Sequence, residues 1–168
     1  MVKATKGIKK LNLGCGIDIR KGFINIDFED IKGVDIVFDL NNVPYPFKDN
    51  QFEHIIMKNI LEHLNDPYKT MQEIHRISCK GAIVEIQTPH FSSDNAWGDL
   101  QHKRGFNSAT FKNPNISGRF GIMEQKITFP NHRFFMRSIA NLNTSFYERH
   151  LAYILPAIDL VVKLVAKK

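Results

Sequence analysis

The order of apolar runs along the chain predicts an open α/β sheet of about seven strands, with helices between some of them, in one domain spanning residues 1–168. Three observations carry the prediction. Short runs of strand length, each closed by Gly, Asp, Asn or Pro, succeed one another. One run of clear helical period, opened by Asp66-Pro67, falls between the fourth and fifth of them. The 168 residues, 43% of them hydrophobic, suffice for one core and are too few for two ordinary domains.

Ile8 to Leu13 reads as the first strand, apolar beyond Lys9 and Lys10 and therefore interior to the sheet. It runs into Gly14-Cys15-Gly16, where two residues without a Cβ let the backbone turn sharply and approach a ligand. Phe23 to Asp27 is the second strand. Only about six residues separate it from Gly16, fewer than a crossover with its own helix needs, so a loop or single turn joins them. Val34 to Phe38 is the third strand and ends at Asp39. Pro44 and Pro46 then forbid a regular helix, which makes the second crossover irregular as well.

Phe52 to Met57 follows the Asp49-Asn50 turn as the fourth strand and leads into Lys58-Asn59. In the helix that comes next, Asp66 is the N-cap and Pro67 the first residue; Met71, Ile74 and Ile77 recur at helical spacing up to Ser78, and Gly81 offers a left-handed cap. Ala82 to Thr88 is the fifth strand, ending at Pro89-His90-Phe91. Ser92 to Asn115 shows no period and is too long for a plain connection, which marks a functional loop. Phe120 to Phe129 reads as a sixth strand, Tyr147 to Leu155 as a helix cut short by Pro156, and the β-branched run Asp159 to Val165 as a final edge strand. No helical cap precedes the first strand, so a lid has to come from the loop after His90 or from the carboxyl-terminal segment.

No apolar run approaches the roughly 20 residues that span a bilayer, and the amino terminus lacks the apolar core of a secretory signal, so a cytoplasmic location is expected. Cys15 and Cys79 lie in unrelated contexts, and neither belongs to a Cys-x-x-Cys pair; no disulfide or thiolate zinc site is indicated. The formal net charge is +6. Many of the lysines lie at the ends, as Lys3, Lys6, Lys9, Lys10, Lys163, Lys167 and Lys168. The internal cluster His102-Lys103-Arg104, with Arg119, Arg133 and Arg137, either meets an anionic substrate at the ligand edge or forms an ordinary basic face. No basic stripe interleaved with aromatics is present, so nucleic acid is not the expected partner.

Asp27, at the carboxyl end of the second strand, is placed to accept hydrogen bonds from a ribose diol. A dinucleotide does not suit this corner, because the G-x-G-x-x-G fingerprint fails at Ile19 and no helix amino terminus is available for a pyrophosphate. A nucleoside without phosphate suits it better.

The ordered set Leu11-Asn12-Leu13-Gly14-Cys15-Gly16, Gly22-Phe23-Ile24-Asn25-Ile26-Asp27, Val34 to Leu40, and Asn59-Ile60-Leu61-Glu62-His63-Leu64 resembles class I S-adenosylmethionine-dependent methyltransferases, and most of all their small type 11 branch. The resemblance covers most of the chain. It implies a Rossmann-like sheet, mostly parallel with an antiparallel last strand, and an enzyme that methylates an O- or N-nucleophile of a small or glycan-like acceptor. S-adenosyl-L-methionine is the implied cofactor. In these terms Asn12, Gly14, Cys15 and Gly16 border its methionine part, Asp27 with Phe28 takes the ribose, Asp39 and Leu40 border the adenine, and Asn59 and His63, with Glu62 in the same motif, lie under the sulfonium. Asn12 and Asp18 depart from the family, which often has an acid at the first position and a third glycine at the second. Plainer roles stand beside these: a turn that touches nothing, strand-end caps at Asp27 and Asp39, and a satisfied helix-end histidine at His63.

His90, Asp99 and His102 form a constellation that cofactor binding leaves unexplained, and they are the expected catalytic group. A histidine beside a carboxylate can take a proton from the nucleophile; the same three could ligate a divalent cation, or belong to a plain surface loop. No metal is assigned. Tyr147, Glu148, Arg149 and His150 face the same cleft or form a polar helix face. Two further functions stay open: a cofactor-binding partner subunit without activity of its own, and a nucleic-acid methyltransferase suggested by charge. A homodimer is compatible with each of them.

Overall fold

The computed structural model describes Gly7 and residues 9–168, so Lys3, Lys6 and Ile8 of the sequence reading lie outside the described residues. Seven strands, β1 (Lys10–Leu13), β2 (Ile24–Asp27), β3 (Ile36–Val37), β4 (Phe52–Lys58), β5 (Ser78–Pro89), β6 (Phe120–Ile127) and β7 (Asp159–Ala166), form one sheet among the described residues. Its order is β3-β2-β1-β4-β5-β7-β6. The pairs from β3 through β5 are all parallel, and β7 runs antiparallel to both of its neighbours. This is the expected Rossmann-like plan. One detail differs: β7 is interior and β6 holds the edge. Leu160, Val162, Leu164 and Ala166 are buried while the residues between them are half-buried, an alternation that reads alike in an edge strand and in an interior one.

Register brings the ligand edge together. Leu13 pairs with Ile26 on one side and Met57 on the other, so β1, β2 and β4 end level and release Gly14, Phe28 and Asn59 at the same edge. Pro89 pairs with Asp159, which places the end of β5 and the start of β7 there too. Leu11, Leu13, Ile24, Ile26, Ile55 and Val84 have no exposed surface. Each such side chain contributes about 1.5–3 kcal/mol, enough to make this edge a rigid platform.

Helix α1 (Pro67–Ile77) begins as predicted: the Asp66 side chain accepts from the Lys69 amide at 3.1 Å, and Thr70, Met71, Ile74 and Ile77 are buried. Gly81 does not cap it. The helix stops at Ile77 and the chain enters β5 at Ser78; Gly81, at φ +78°, lies inside the strand where the pairing jumps from Phe52–Ser78 to His54–Ile83. There the glycine serves a bulge.

No helix joins β1 to β2 or β2 to β3, and the proline-containing link to β4 is irregular, as expected. The third strand is shorter than predicted, Ile36–Val37 only. The loop after Phe91 carries two single-turn helices, α2 (Asn95–Gly98) and α3 (Pro114–Ser117), with a 3₁₀ turn at Thr110–Lys112 between them. Helix α4 (Phe134–Leu142) was not anticipated. It buries Met136 and Ala140 and exposes Phe134, Phe135, Ile139 and Leu142. The helix expected at Tyr147–Leu155 lies earlier, as α5 (Thr144–His150), because the Asn143 side chain caps it by accepting from the Phe146 amide. No helix among the described residues is long and apolar enough to cross a membrane.

Candidate active site

A cavity of about 660 Å³ opens where β1, β2 and β3 end. Gly14 and Asp27 form its base, Phe28, Phe38 and Leu40 one apolar wall, Ile60, His63 and Leu64 the other, and Leu100, Gln101 and Lys103 lean in from the long loop. Gly14 adopts φ +62°, and a Cβ on it would come within 2.2 Å of the Ile60 side chain. Only glycine lets Ile60 form that wall.

Asp27 is 6% exposed. Its Oδ2 accepts from the Gly16 amide at 2.7 Å and its Oδ1 from the Glu29 amide at 3.2 Å, which leaves lone pairs on both oxygens for a ligand. Asp39 Oδ1 accepts from the amide and the side chain of Asn41, both at 2.9 Å, and so closes a turn while it borders the cavity. The loop that carries this wall is braced from α1. Tyr45 donates its hydroxyl to the Leu40 carbonyl and its amide to Glu73 Oε2, and Arg76 binds the carbonyls of Tyr45 and Phe47.

Two of the residues predicted to touch the cofactor face inward. Asn12 is 3% exposed; its Nδ2 donates to the Asp18 carbonyl at 2.7 Å and to Asn25 Oδ1 at 3.1 Å. It ties down the loop after β1 and does not border the cavity. Cys15 is buried, its amide donates to the Ile26 carbonyl at 3.0 Å, and burial, aided by the Asp27 charge, pushes its thiol up to about 11. A neutral buried thiol is not a nucleophile. Gly16 enters through its bond to Asp27.

A second cleft of about 750 Å³ adjoins the first and shares His63, Leu100 and Gln101 with it. Asn59 lines this cleft and not the first cavity, at φ +52°. Glu62, Asp99, His102 and Asp159 line it too. His102 Nε2 lies 3.8 Å from the Asp99 carboxylate and 4.0 Å from that of Glu62, and the rings of His63 and His102 stack edge to face at 4.5 Å. Glu62 is 1% exposed and accepts from the Thr88 hydroxyl at 3.0 Å; burial pushes its carboxyl up. Burial, and then the neighbouring His102, push the His63 imidazole down.

The predicted trio of His90, Asp99 and His102 is split. His90 has no exposed surface; its Nδ1 meets the Ser92 hydroxyl at 2.8 Å and its Nε2 meets Glu148 at 3.3 Å. Glu148 in turn accepts from the amide and hydroxyl of Ser108, both at 2.7 Å. These groups satisfy one another inside the structure and do not line the cleft. Tyr147 is buried, and Arg149 and His150 border a separate shallow groove. Of the basic cluster, Lys103 reaches the first cavity, Arg104 is held by the carbonyls of Leu64 and Asn65, and Arg119 precedes β6 at the opposite edge of the sheet. Phe38, Asn41, Ile60, Leu64, Leu100 and Gln101 were not anticipated; each stands within two residues of a predicted position, which was their only signal in the sequence.

The cavity fits S-adenosylmethionine. Its volume lies within the usual range for small-molecule sites, and its lining combines the carboxylates of Asp27 and Asp39 with the apolar Phe28, Phe38, Leu40, Ile60 and Leu64.

The family model described as "Methyltransferase domain", in its type 11 form, matches residues 5–86. An uncharacterised protein of Methanocaldococcus jannaschii is 23% identical over 116 residues, 69% of this chain and 54% of that one, so the chain spans about half the length of the curated relative it matches. A structure described as an S-adenosylmethionine-dependent methyltransferase from Archaeoglobus fulgidus has a TM-score of 0.66 at 17% identity, covering 95% of this chain and 87% of that one. A chain of the Haloferax volcanii complex that contains the Trm112 methyltransferase activator has a TM-score of 0.61 at 17% identity, covering 96% of this chain and 84% of that one. Residues 5–86 thus match a methyltransferase domain of type 11, and the sheet order is that of the class I S-adenosylmethionine-dependent methyltransferase fold.

Proposed function

We propose that the chain transfers a methyl group from S-adenosylmethionine to an oxygen or nitrogen nucleophile of a small or glycan-like acceptor in the cytoplasm. The observation that carries this reading is the junction at His63, where the cavity holding Asp27 and the cleft holding Asp99 and His102 share a wall. Cofactor and acceptor would meet there. When bound, the sulfonium supplies an activated methyl and a good leaving group. The chain's part is to bind and aim: Asp27 takes the ribose hydroxyls, Asp39 the adenine amine, Phe28 and Leu40 the faces of the ring, and Gly14 to Gly16 the methionine end. Orientation of this kind removes several kcal/mol of barrier without any further group. His63 and His102 are the imidazoles that stand where the acceptor's proton leaves.

The cleft's polar lining of Asn59, Gln101 and His102 suits a hydroxyl-rich acceptor. Its three acids, Glu62, Asp99 and Asp159, would repel a phosphate backbone, which argues against nucleic acid. Titration calorimetry with S-adenosylmethionine, its demethylated product and a nicotinamide dinucleotide tests the cofactor; tight binding of the third and not the first two would overturn the reading. A cell extract supplied with S-adenosylmethionine and the parent chain should then gain a methyl-sized mass in a compound that Asp27→Ala leaves unchanged.

Likeness to a chain from a complex with an activator supports a second reading, in which this chain needs a partner subunit for activity. Product binding without turnover by the pure chain, with turnover restored by a co-purifying protein, would select it.

A further inference from the structure

We propose that Glu62, His63 and His102 bind a divalent first-row transition-metal ion at the junction of the two cavities. The binding itself needs nothing from the preceding proposal, but the purpose given to it here rests on that reading. One ligand atom from each of the three residues lies within 4.8 Å of the other two, so a single ion can reach all three after small side-chain adjustments.

Two of the polar atoms in this cluster have no hydrogen-bond partner: Glu62 Oε1 and His102 Nδ1. The Glu62 side chain is 1% exposed and the His102 side chain 9%. Buried polar atoms left without partners are rare in folded proteins and point to a group that satisfies them. The other oxygen of Glu62 is already held by the Thr88 hydroxyl at 3.0 Å, a contact that orients the carboxylate and leaves Oε1 turned toward the imidazoles.

The three donors sit on braced segments. The Lys103 amide donates to the Glu62 carbonyl at 2.9 Å, the His63 amide to the Ile60 carbonyl at 3.0 Å, and the His102 amide to the Asp99 carbonyl at 3.1 Å. The long loop is thus fastened beside the segment after β4, which keeps His102 next to Glu62 and His63. Asp99, half-exposed at the rim and 3.8 Å from His102 Nε2, adds negative charge and an acceptor for an imidazole N–H.

Two imidazoles and one carboxylate suit zinc, manganese, iron or cobalt; calcium and magnesium prefer sites built of oxygen alone. An ion held by these residues would border the cleft that all three of them line. An acceptor hydroxyl bound there loses its proton to water more readily. The oxygen lone pair then forms the new O–C bond as the C–S bond breaks, and the released pair stays on sulfur. The products are the methylated acceptor, the neutral thioether and one proton. In this arrangement the two histidines act through the cation and not as free bases.

The test is Co²⁺ binding to the full chain after dialysis against a chelator, followed by visible absorption and calorimetry without S-adenosylmethionine. One Co²⁺ per chain is expected, with affinity lowered at least ~10-fold in Glu62→Gln and in His102→Asn. The surface variants His132→Asn and His150→Asn should bind as the parent does. Circular dichroism and affinity for the demethylated product establish that the variants are folded. No binding below about millimolar Co²⁺, or equal binding by the parent and His102→Asn, overturns the metal site. Product binding without Co²⁺ binding sinks this proposal and spares methyl transfer; Co²⁺ binding as expected without cofactor binding does the reverse.

Discussion

The Asp27 carboxylate accepts a 2.7 Å hydrogen bond from the Gly16 amide, so the end of β2 holds the loop that leaves β1. The same carboxylate faces the cavity. In the ribose-binding role proposed for it, Asp27→Asn would keep an acceptor for that amide but give up the charge that strengthens bonds to hydroxyls, a loss of about 1.5–3 kcal/mol. The dissociation constant for the demethylated product should rise ~10- to 100-fold by calorimetry, with a smaller effect on thermal stability. A change within twofold would remove Asp27 from the ribose site.

Gly14 and Ile60 share one volume. A Cβ at Gly14 would stand 2.2 Å from Ile60, and the backbone there has φ +62°. Gly14→Ala should therefore destabilise the chain by a conformational part of roughly 1–3 kcal/mol and a steric part. Adding Ile60→Ala relieves only the steric part. Urea unfolding of the two single variants and the double variant should show that partial recovery, and a double variant no better than the sum of the singles would contradict it.

The corner built by Gly14, Gly16 and Asp27 could be read from the chain because its parts are close in sequence and each residue type has one outstanding use. Helix α1 was equally plain, since Asp66 and Pro67 act locally. Gly81 was misplaced because a left-handed glycine after a helix announces a turn and not which turn; the pairing with β4 settles that it is a bulge. The interior place of β7 depends on Ile86 meeting Val162 across the sheet, a long-range choice with no local mark. His90 follows a strand end much as Asn59 does. What removes it from the cleft is Glu148, 58 residues away.

Acid should loosen the cavity wall that carries Phe38 and Leu40. The Arg76 guanidinium, and to a lesser degree the Tyr45 amide, hold the Glu73 carboxyl below the usual carboxylate range against the opposing effect of burial. A carboxyl lowered in the folded state contributes stability that is present above its unfolded value, near 4.3, and is lost as pH falls through the folded value. Urea midpoints should drop more steeply for the parent than for Glu73→Gln below about pH 4.5 and run parallel near neutrality. Parallel curves throughout would show that Glu73 does not brace this loop.

His90 should prove to be a structural residue. Burial alone would raise the Glu148 carboxyl, yet hydrogen bonds from His90 and Ser108 hold it below the ordinary value, so these groups depend on one another. His90→Ala removes a partner from both Glu148 and Ser92 and leaves a void, which should cost about 2–4 kcal/mol in urea unfolding. The cavity near β2 shares none of these atoms, so affinity for the demethylated product at a temperature where the variant is folded should stay within about twofold of the parent. His90→Asn, which can still bond to Glu148, should recover part of the stability. A His90→Ala chain of parental stability that had lost methyl transfer would instead put His90 back among the reacting groups.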